Sequence, residues 1–173
     1  SSDVCSSDLL VRMGQTKPGH TKLGKQHAAF IDVRKAFPSV PHDAMLSALY
    51  DTAGVGGRCF RVIQNLYDGL TSSVKVGDAT SDPYDVECGT REGAILSPWL
   101  YSVFLNPLLI QLAQPNICKD GSRASIRPSS TLDPMFIPVI AYADDLVIIC
   151  PTADGLQDML NATAKWANEH MVQ

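Results

Sequence analysis

Residues 137–150 read IPVIAYADDLVIIC, a stretch that places the adjacent carboxylates of Asp144 and Asp145 between two apolar runs. Short runs rich in β-branched residues predict two buried strands joined by a tight hairpin. Adjacent carboxylates repel each other, and burying them without a partner is costly. A divalent cation relieves both costs, because such ions prefer oxygen ligands. For an isolated Asp-Asp pair, an ordinary polar turn would be the simpler interpretation.

A second apolar run, HAAFIDV at residues 27–33, delivers a further carboxylate, Asp32, near its end. Alone, Asp32 would be interpreted as a residue that ends a strand and caps a turn. Together, the two stretches predict a site that holds a pair of Mg²⁺ ions. Ions about 3.5–4 Å apart can bind the attacking and leaving oxygens of a phosphoryl transfer. We expect Asp32 and Asp144 to be the main ligands, supported by Asp145.

Three blocks of the sequence resemble the palm of a reverse transcriptase, of the kind found in non-LTR retrotransposons. FIDVRKAF at residues 30–37 resembles the first palm motif, and GTREGAILSPWL at residues 89–100 resembles the second. YADD at residues 142–145 resembles the third motif, the catalytic hairpin. The three blocks in this order are strongly specific, and the resemblance covers about residues 27–170.

The resemblance implies an RNA-directed DNA polymerase that works by two-metal nucleotidyl transfer. Asp32, Asp144 and Asp145 would be the catalytic and metal-binding residues, with two Mg²⁺ ions as cofactor and Mn²⁺ as an alternative. The partners implied are an RNA template, a DNA primer and deoxyribonucleoside triphosphates. The expected fold is an α+β polymerase palm, in which helices back a small antiparallel sheet that carries the catalytic hairpin.

The resemblance also assigns substrate-binding residues. Phe37 matches an aromatic residue that blocks a ribose 2′-hydroxyl, which disfavours the alternative of an RNA-directed RNA polymerase. A purely structural role in the core is the competing interpretation of Phe37. Arg34 and Lys35 follow Asp32 and would meet phosphate, although a surface position is the commoner fate of such residues. Tyr142, from the third block, is placed in the same site.

The second block contributes glycines that permit close backbone approach to a nucleotide, Gly89 and Gly93. An ordinary turn before a helix explains them equally well. Two positions depart from the family pattern: Glu92 stands where glutamine is usual, and Pro38 stands where aspartate is usual. A carboxylate only accepts hydrogen bonds, whereas an amide also donates them. A palm retained as a non-catalytic RNA-binding module is therefore a further alternative.

Composition limits the remaining function classes. The chain has 173 residues, 45% hydrophobic and 18% charged, which predicts one well-buried domain. No apolar run is long enough to cross a membrane, so we expect no membrane partner. A net charge of −4 is unusual for a nucleic-acid-binding protein. We attribute it to the acidic metal site and to basic finger and thumb segments that lie outside this chain.

We expect residues 1–26 to be a non-native or flexible leader, and residues 27–173 to be a partial palm with incomplete fingers and no thumb. This organisation predicts a fragment of a longer polymerase that is inactive when isolated. The five cysteines include no Cys-x-x-Cys pair, which argues against a zinc site and a disulfide framework. Free thiols indicate a reducing intracellular compartment, without distinguishing nucleus from cytoplasm.

Periodicity predicts the other elements. We expect helices starting at Pro41, near Phe60, from Ser97 to about Ala113, and from Asp154 to about His170. Residues 73–77 predict a strand that turns at Gly77-Asp78 and pairs with residues 84–87. Residues 114–136 predict an irregular surface loop, because they are rich in proline and serine.

Overall fold

A computed structural model describes residues 26–91, 93–126 and 135–170. Within these ranges the chain has an α+β fold, as predicted, with four α-helices and small antiparallel sheets. In chain order the elements are β1 His27–Asp32, α1 His42–Ser47, α2 Gly57–Tyr67, β2 Thr71–Ser72, β3 Lys75–Val76, β4 Ala79–Thr80, β5 Tyr84–Asp85, α3 Ser97–Leu112, β6 Ser125–Ile126, β7 Met135–Phe136, β8 Val139–Tyr142, β9 Asp145–Cys150 and α4 Ala153–Glu169.

The chain divides into two compact units. Of the described residues, the first unit contains 26–33, 108–126 and 135–168, and therefore β1, the β8–β9 hairpin and nearly all of α4. The second contains 34–91, 93–107 and 169–170, and therefore α1, α2 and the four short strands β2–β5. The predicted leader, residues 1–26, lies outside the described residues except for Gln26. No helix in the described ranges combines the length and the apolar character that a membrane span needs.

The sheet of the first unit has the strand order β1-β9-β8, with both pairs antiparallel. The predicted hairpin and the predicted strand ending at Asp32 are therefore confirmed. β9 is the central strand, and its register pairs His27 with Cys150 at one end and Asp32 with Asp145 at the other. The C-terminal end of β1 and the N-terminal end of β9 therefore lie together, with Asp32 opposite Asp145 at one end of the sheet.

Among the described residues, only one face of this sheet is covered. On the covered face, the β9 residues Leu146 and Ile148 are 1% and 0% exposed, and Ala29 of β1 is 2% exposed. None of the β8 residues is buried, so the expectation of two buried strands was wrong for β8. Its apolar residues made the strand look covered, but composition does not tell which face receives a neighbour.

Helix α4 is amphipathic, as predicted, and buries residues at helical spacing: Leu156, Met159, Thr163 and Trp166. Its first turn is fixed by Thr152, whose Oγ1 accepts a hydrogen bond from the backbone N–H of Gly155 at 3.1 Å. Gly155 packs tightly against the end of β9. A Cβ added at Gly155 would lie 2.6 Å from Cys150 Sγ, which explains glycine at this position.

The second unit contains the predicted helices with shifted ends. α1, the helix predicted to start at Pro41, is followed by a π-helical turn, Ala48–Thr52. α3 begins at Ser97, as predicted, and the Ser97 hydroxyl donates a hydrogen bond to the Arg91 carbonyl at 2.5 Å. Its residues Leu100, Tyr101 and Phe104 are buried, consistent with a helix that is apolar around most of its surface.

Two predicted connections were wrong in detail. The turn at Gly77-Asp78 is present, but β3 pairs with β4 rather than with residues 84–87. β5 instead pairs with β2, so the β2–β5 ladder encloses the shorter β3–β4 hairpin. The expected loop 114–136 contains a short ladder between β6 and β7, and its residues 127–134 lie outside the described residues.

Candidate active site

The predicted catalytic aspartates lie at one end of the β1-β9-β8 sheet. Asp145, on the central strand, is the direct partner of Asp32 on one side and of Tyr142 on the other. Directly opposite residues in an antiparallel pair project from the same face, with Cβ atoms about 4.5–5.5 Å apart. Asp32, Asp145 and Tyr142 therefore form one row across the sheet, which we call the acidic row.

The acidic row lies on the open face of the sheet. Both aspartates are exposed, and Tyr142 is 82% exposed. The next row on the same face is apolar and also open, with Phe30 58% exposed and Ile140 52% exposed. A ligand can therefore reach the acidic row from solvent.

The carboxylates of the acidic row have no basic partner among the described residues. In the described ranges, neither Asp32 nor Asp145 forms an ion pair with a lysine, arginine or histidine. Like charges placed directly opposite each other destabilise a sheet. Two exposed, unpaired carboxylates in this arrangement are suited to a hard cation. Within the same ranges, however, no group of three or more histidine, cysteine, aspartate or glutamate side chains is arranged as a ready metal site.

Asp144 lies in the two-residue loop of the hairpin, immediately before the acidic row. The first loop residue, Ala143, has a φ of 52°, and Asp144 has a negative φ. Positive φ at the first loop position is the pattern of a type II′ turn, which normally takes glycine there. A non-glycine residue in this conformation stores strain next to the predicted catalytic residues.

The other predicted site residues belong to the second unit. Arg34 and Lys35 are exposed and have no ion-pair partner among the described residues, which fits an ordinary surface position as well as a phosphate contact. Lys35 has a φ of 52°, and its carbonyl accepts a hydrogen bond from the Ser39 N–H at 3.0 Å. The chain therefore turns sharply within the first motif, a few residues after the end of β1.

Phe37 is half-buried, and its ring packs on that of Tyr101 in α3. The ring centroids are 4.9 Å apart, with 35° between the ring planes. The Phe37 carbonyl accepts a hydrogen bond from the backbone N–H of Thr90 at 2.9 Å. The main chain of Phe37 thus contacts the second motif at Thr90, and its side chain contacts α3 one residue beyond that motif, at Tyr101.

Gly89 joins the same two segments. Its N–H donates to the Val40 carbonyl at 2.7 Å, and its carbonyl lies 2.8 Å from Nε2 of the buried His42. Gly89 has a φ of 99°, and an added Cβ would lie 3.1 Å from the Pro38 carbonyl oxygen. The close approach that requires glycine here is therefore an approach to Pro38.

Gly93 has a φ of 75° and open space around it, so only its backbone conformation favours glycine. Glu92, which lies between Gly89 and Gly93 in the sequence, is outside the described residues. The sequence did not point to Tyr101 or His42 as site-forming residues. Both are buried members of helices, and only their tertiary contacts distinguish them from ordinary core residues.

Comparison with known protein families shows which family this chain belongs to. The sequence model of the family described as reverse transcriptase (RNA-dependent DNA polymerase) matches residues 8–173. The chain belongs to this family. The family match confirms the resemblance to reverse transcriptases, and the relatives described next, from R2 and jockey elements, confirm the non-LTR retrotransposon type.

Similar curated proteins come from insect retrotransposable elements. The chain is 27% identical over 165 residues to the retrovirus-related Pol polyprotein of the type-2 element R2DM of Drosophila melanogaster, covering 94% of this chain and 14% of that protein. It is 25% identical over 146 residues to the RNA-directed DNA polymerase from mobile element jockey of Drosophila funebris, covering 81% and 14%. A Pol polyprotein of a type-1 R2 element from Popillia japonica is 31% identical over 121 residues, covering 69% and 15%. The chain thus spans about a seventh of the length of these relatives.

Proposed function

We propose that this chain is the palm of an RNA-directed DNA polymerase, within a longer retroelement protein that extends a DNA primer on an RNA template. We assign residues 27–173 to the partial palm and residues 1–26 to a leader. The family match supports the polymerase activity. The single observation that supports the position of the catalytic centre is the pairing of Asp32 with Asp145 at the open end of the sheet.

Divalent metal ions are general cofactors of reverse transcriptases, and the acidic row fits such a cofactor. Its carboxylates are exposed, directly opposite each other and without a basic partner among the described residues. We propose that Asp32, Asp144 and Asp145 hold two Mg²⁺ ions, with Mn²⁺ as an alternative. When bound, these ions supply activation of the primer 3′-oxygen and stabilisation of the pyrophosphate leaving group.

The remaining residues bind and select the substrate in this proposal. The Phe37 ring excludes the ribose 2′-hydroxyl, which selects deoxyribonucleoside triphosphates. Arg34 and Lys35 bind phosphate oxygens, and Tyr142 contacts substrate beside Asp145. Gly89 and Gly93 keep the second motif close to the nucleotide, and Glu92 accepts hydrogen bonds where the family usually has an amide.

Primer extension by the complete polypeptide encoded by the open reading frame that contains this chain tests the proposal. We expect Mg²⁺-dependent extension of a DNA primer on an RNA template. Asp144→Asn and Asp145→Asn should each reduce the rate by about 10³-fold or more, because each removes charge stabilisation of the transition state. Asp82→Asn, in the exposed loop between β4 and β5, is the charge-matched control and should extend at the wild-type rate.

Wild-type extension rates in Asp144→Asn and Asp145→Asn would overturn the catalytic assignment. A complete wild-type polypeptide that binds RNA but never extends a primer would favour the non-catalytic RNA-binding alternative. We expect the isolated 173-residue chain to extend primers poorly, because its net charge of −4 leaves template and primer weakly held. Positioning contributes about 7–11 kcal/mol in well-oriented reactions, which a metal site alone cannot replace.

Sugar selection is tested separately at Phe37. Phe37→Val and Phe37→Ala should raise ribonucleotide incorporation relative to deoxyribonucleotide incorporation, because the smaller side chains leave room for the 2′-hydroxyl. If both variants incorporate ribonucleotides relative to deoxyribonucleotides at the wild-type ratio, Phe37 has a purely structural role.

A further inference from the structure

The contact between Phe37 and Tyr101 carries an inference about substrate selection. Phe37 is only half-buried, whereas Tyr101 is 1% exposed and is fixed within α3. The Tyr101 ring also packs near the ring of Phe104, one helical turn along, at 6.4 Å between centroids. The partly exposed Phe37 ring therefore has an immobile aromatic support on one side.

The backbone that carries Phe37 is fixed as well. Its carbonyl is bound by the Thr90 N–H, and three residues later the Val40 carbonyl is bound by the Gly89 N–H. The contact of His42 Nε2 with the Gly89 carbonyl secures the same pair of segments. With the main chain held, the position of the Phe37 ring depends on its side-chain torsions, which the ring of Tyr101 restricts.

We propose that Tyr101 is a positioning residue for Phe37 and thereby sets how strongly the enzyme rejects ribonucleotides. The proposal rests on the proposed role of Phe37 in sugar selection. A ring can exclude a hydroxyl group only as firmly as it resists displacement by that group. Tyr101 supplies this resistance without touching the substrate, since its side chain is buried.

The experiment measures the ratio of kcat/KM for a deoxyribonucleotide to that for the matching ribonucleotide, in the complete polypeptide. Tyr101→Leu and Tyr101→Met remove the supporting ring but keep an apolar side chain in the helix. Each should lower the ratio by about 3- to 10-fold, the range expected for the loss of one aromatic contact. Tyr101→Phe keeps the ring and should retain the wild-type ratio.

A control separates positioning from loss of stability. Val103 is buried in the same helix, two residues from Tyr101 and so about 200° around the helix axis. Val103→Ala should lower the melting temperature yet leave the sugar ratio unchanged. In a Phe37→Ala background, Tyr101→Met should have no further effect on the ratio, because the ring that it positions is gone.

The outcomes distinguish this inference from the proposed function. If Phe37→Ala lowers the ratio while Tyr101→Met does not, Phe37 selects the sugar without support from Tyr101 and the inference is overturned. If Phe37→Ala leaves the ratio unchanged, both the role of Phe37 and the inference fail. A lower ratio in Val103→Ala, similar to that in Tyr101→Met, would assign the effect to general loosening of the fold and would also overturn the inference.

Discussion

Asp32 and Asp145 face each other across the last pair of the β1–β9 ladder, so two strands meet at a like-charged contact. Such contacts destabilise a sheet unless a cation lies between or beside them. The sheet nevertheless ends here with both carboxylates exposed and on one face. This arrangement links the stability of the sheet end to the ionic content of the solution.

We expect Asp145→Asn to stabilise the protein in the absence of divalent ions, by about 0.2–1 kcal/mol, because it removes the cross-strand repulsion. We expect Mg²⁺ to raise the melting temperature of the wild type, and the same variant should lose most of that rise. Thermal unfolding in EDTA and across a Mg²⁺ titration measures both effects, with Asp82→Asn as control. A variant that melts lower than wild type in EDTA would contradict the repulsion, and an unchanged Mg²⁺ response would contradict metal binding at Asp145.

The two glycines of the second motif should differ in their tolerance of alanine. At both positions alanine incurs the penalty of positive φ, about 1–2 kcal/mol. Gly89→Ala also forces a Cβ against the Pro38 backbone at 3.1 Å, whereas Gly93→Ala meets nothing within 4 Å. Overpacking should lower the unfolding free energy of Gly89→Ala by about 1–3 kcal/mol more, the range for groups inserted into a packed site. Urea unfolding compares the two variants, and equal losses would mean that the Pro38 segment moves aside.

The loss of unfolding free energy at acid pH should depend in part on Asp120. Hydrogen bonds from the Ser122 side chain, the Thr152 hydroxyl and the Ser122 backbone N–H hold the pKa of Asp120 below its ordinary value. Because the folded pKa lies below the unfolded one, this stabilisation is present above about pH 4 and is lost as the pH falls through the folded pKa. Asp120→Asn should flatten that part of the pH profile of the unfolding free energy. Asp78→Asn, on the exposed β3–β4 turn, is the control, and an Asp120→Asn profile parallel to wild type would contradict the expectation.

The thiols should separate into two reactivity classes. Burial raises the pKa of Cys118 to about 11, and its Sγ lies 3.9 Å from that of the buried Cys150. Thiols react as thiolates, so Cys118 should resist alkylation at neutral pH. Exposed Cys59 and Cys88 should react first, as measured by mass spectrometry of peptides after timed iodoacetamide treatment. Alkylation of Cys118 at the rate of Cys59 would mean that the first unit opens readily.

The sequence predicted the elements whose patterns are local. The apolar, β-branched runs within residues 137–150 and the run that reaches Asp32 predicted the hairpin and the acidic strand end, and the spacing after Asp154 predicted α4. The partner of β3 was predicted wrongly, because Ala79–Thr80 follow the turn at once and close a shorter ribbon than residues 84–87 would. The exposure of the β8 side chains and the contact between Phe37 and Tyr101 both depend on tertiary packing. Neither leaves a periodic signal in the sequence.

The pairing of β1 with β9 also has a consequence for the order of folding. Asp32 and Asp145 are 113 positions apart (145 − 32), so closing this ladder carries a large loop entropy cost. Nearly all of the second unit is one continuous stretch, residues 34–107, whose contacts form over shorter separations. During synthesis, β1 leaves the ribosome first among the strands of its sheet, well before its partner β9. We therefore expect the strand that carries Asp32 to be the earliest part of the sheet to be made and among the last to be ordered.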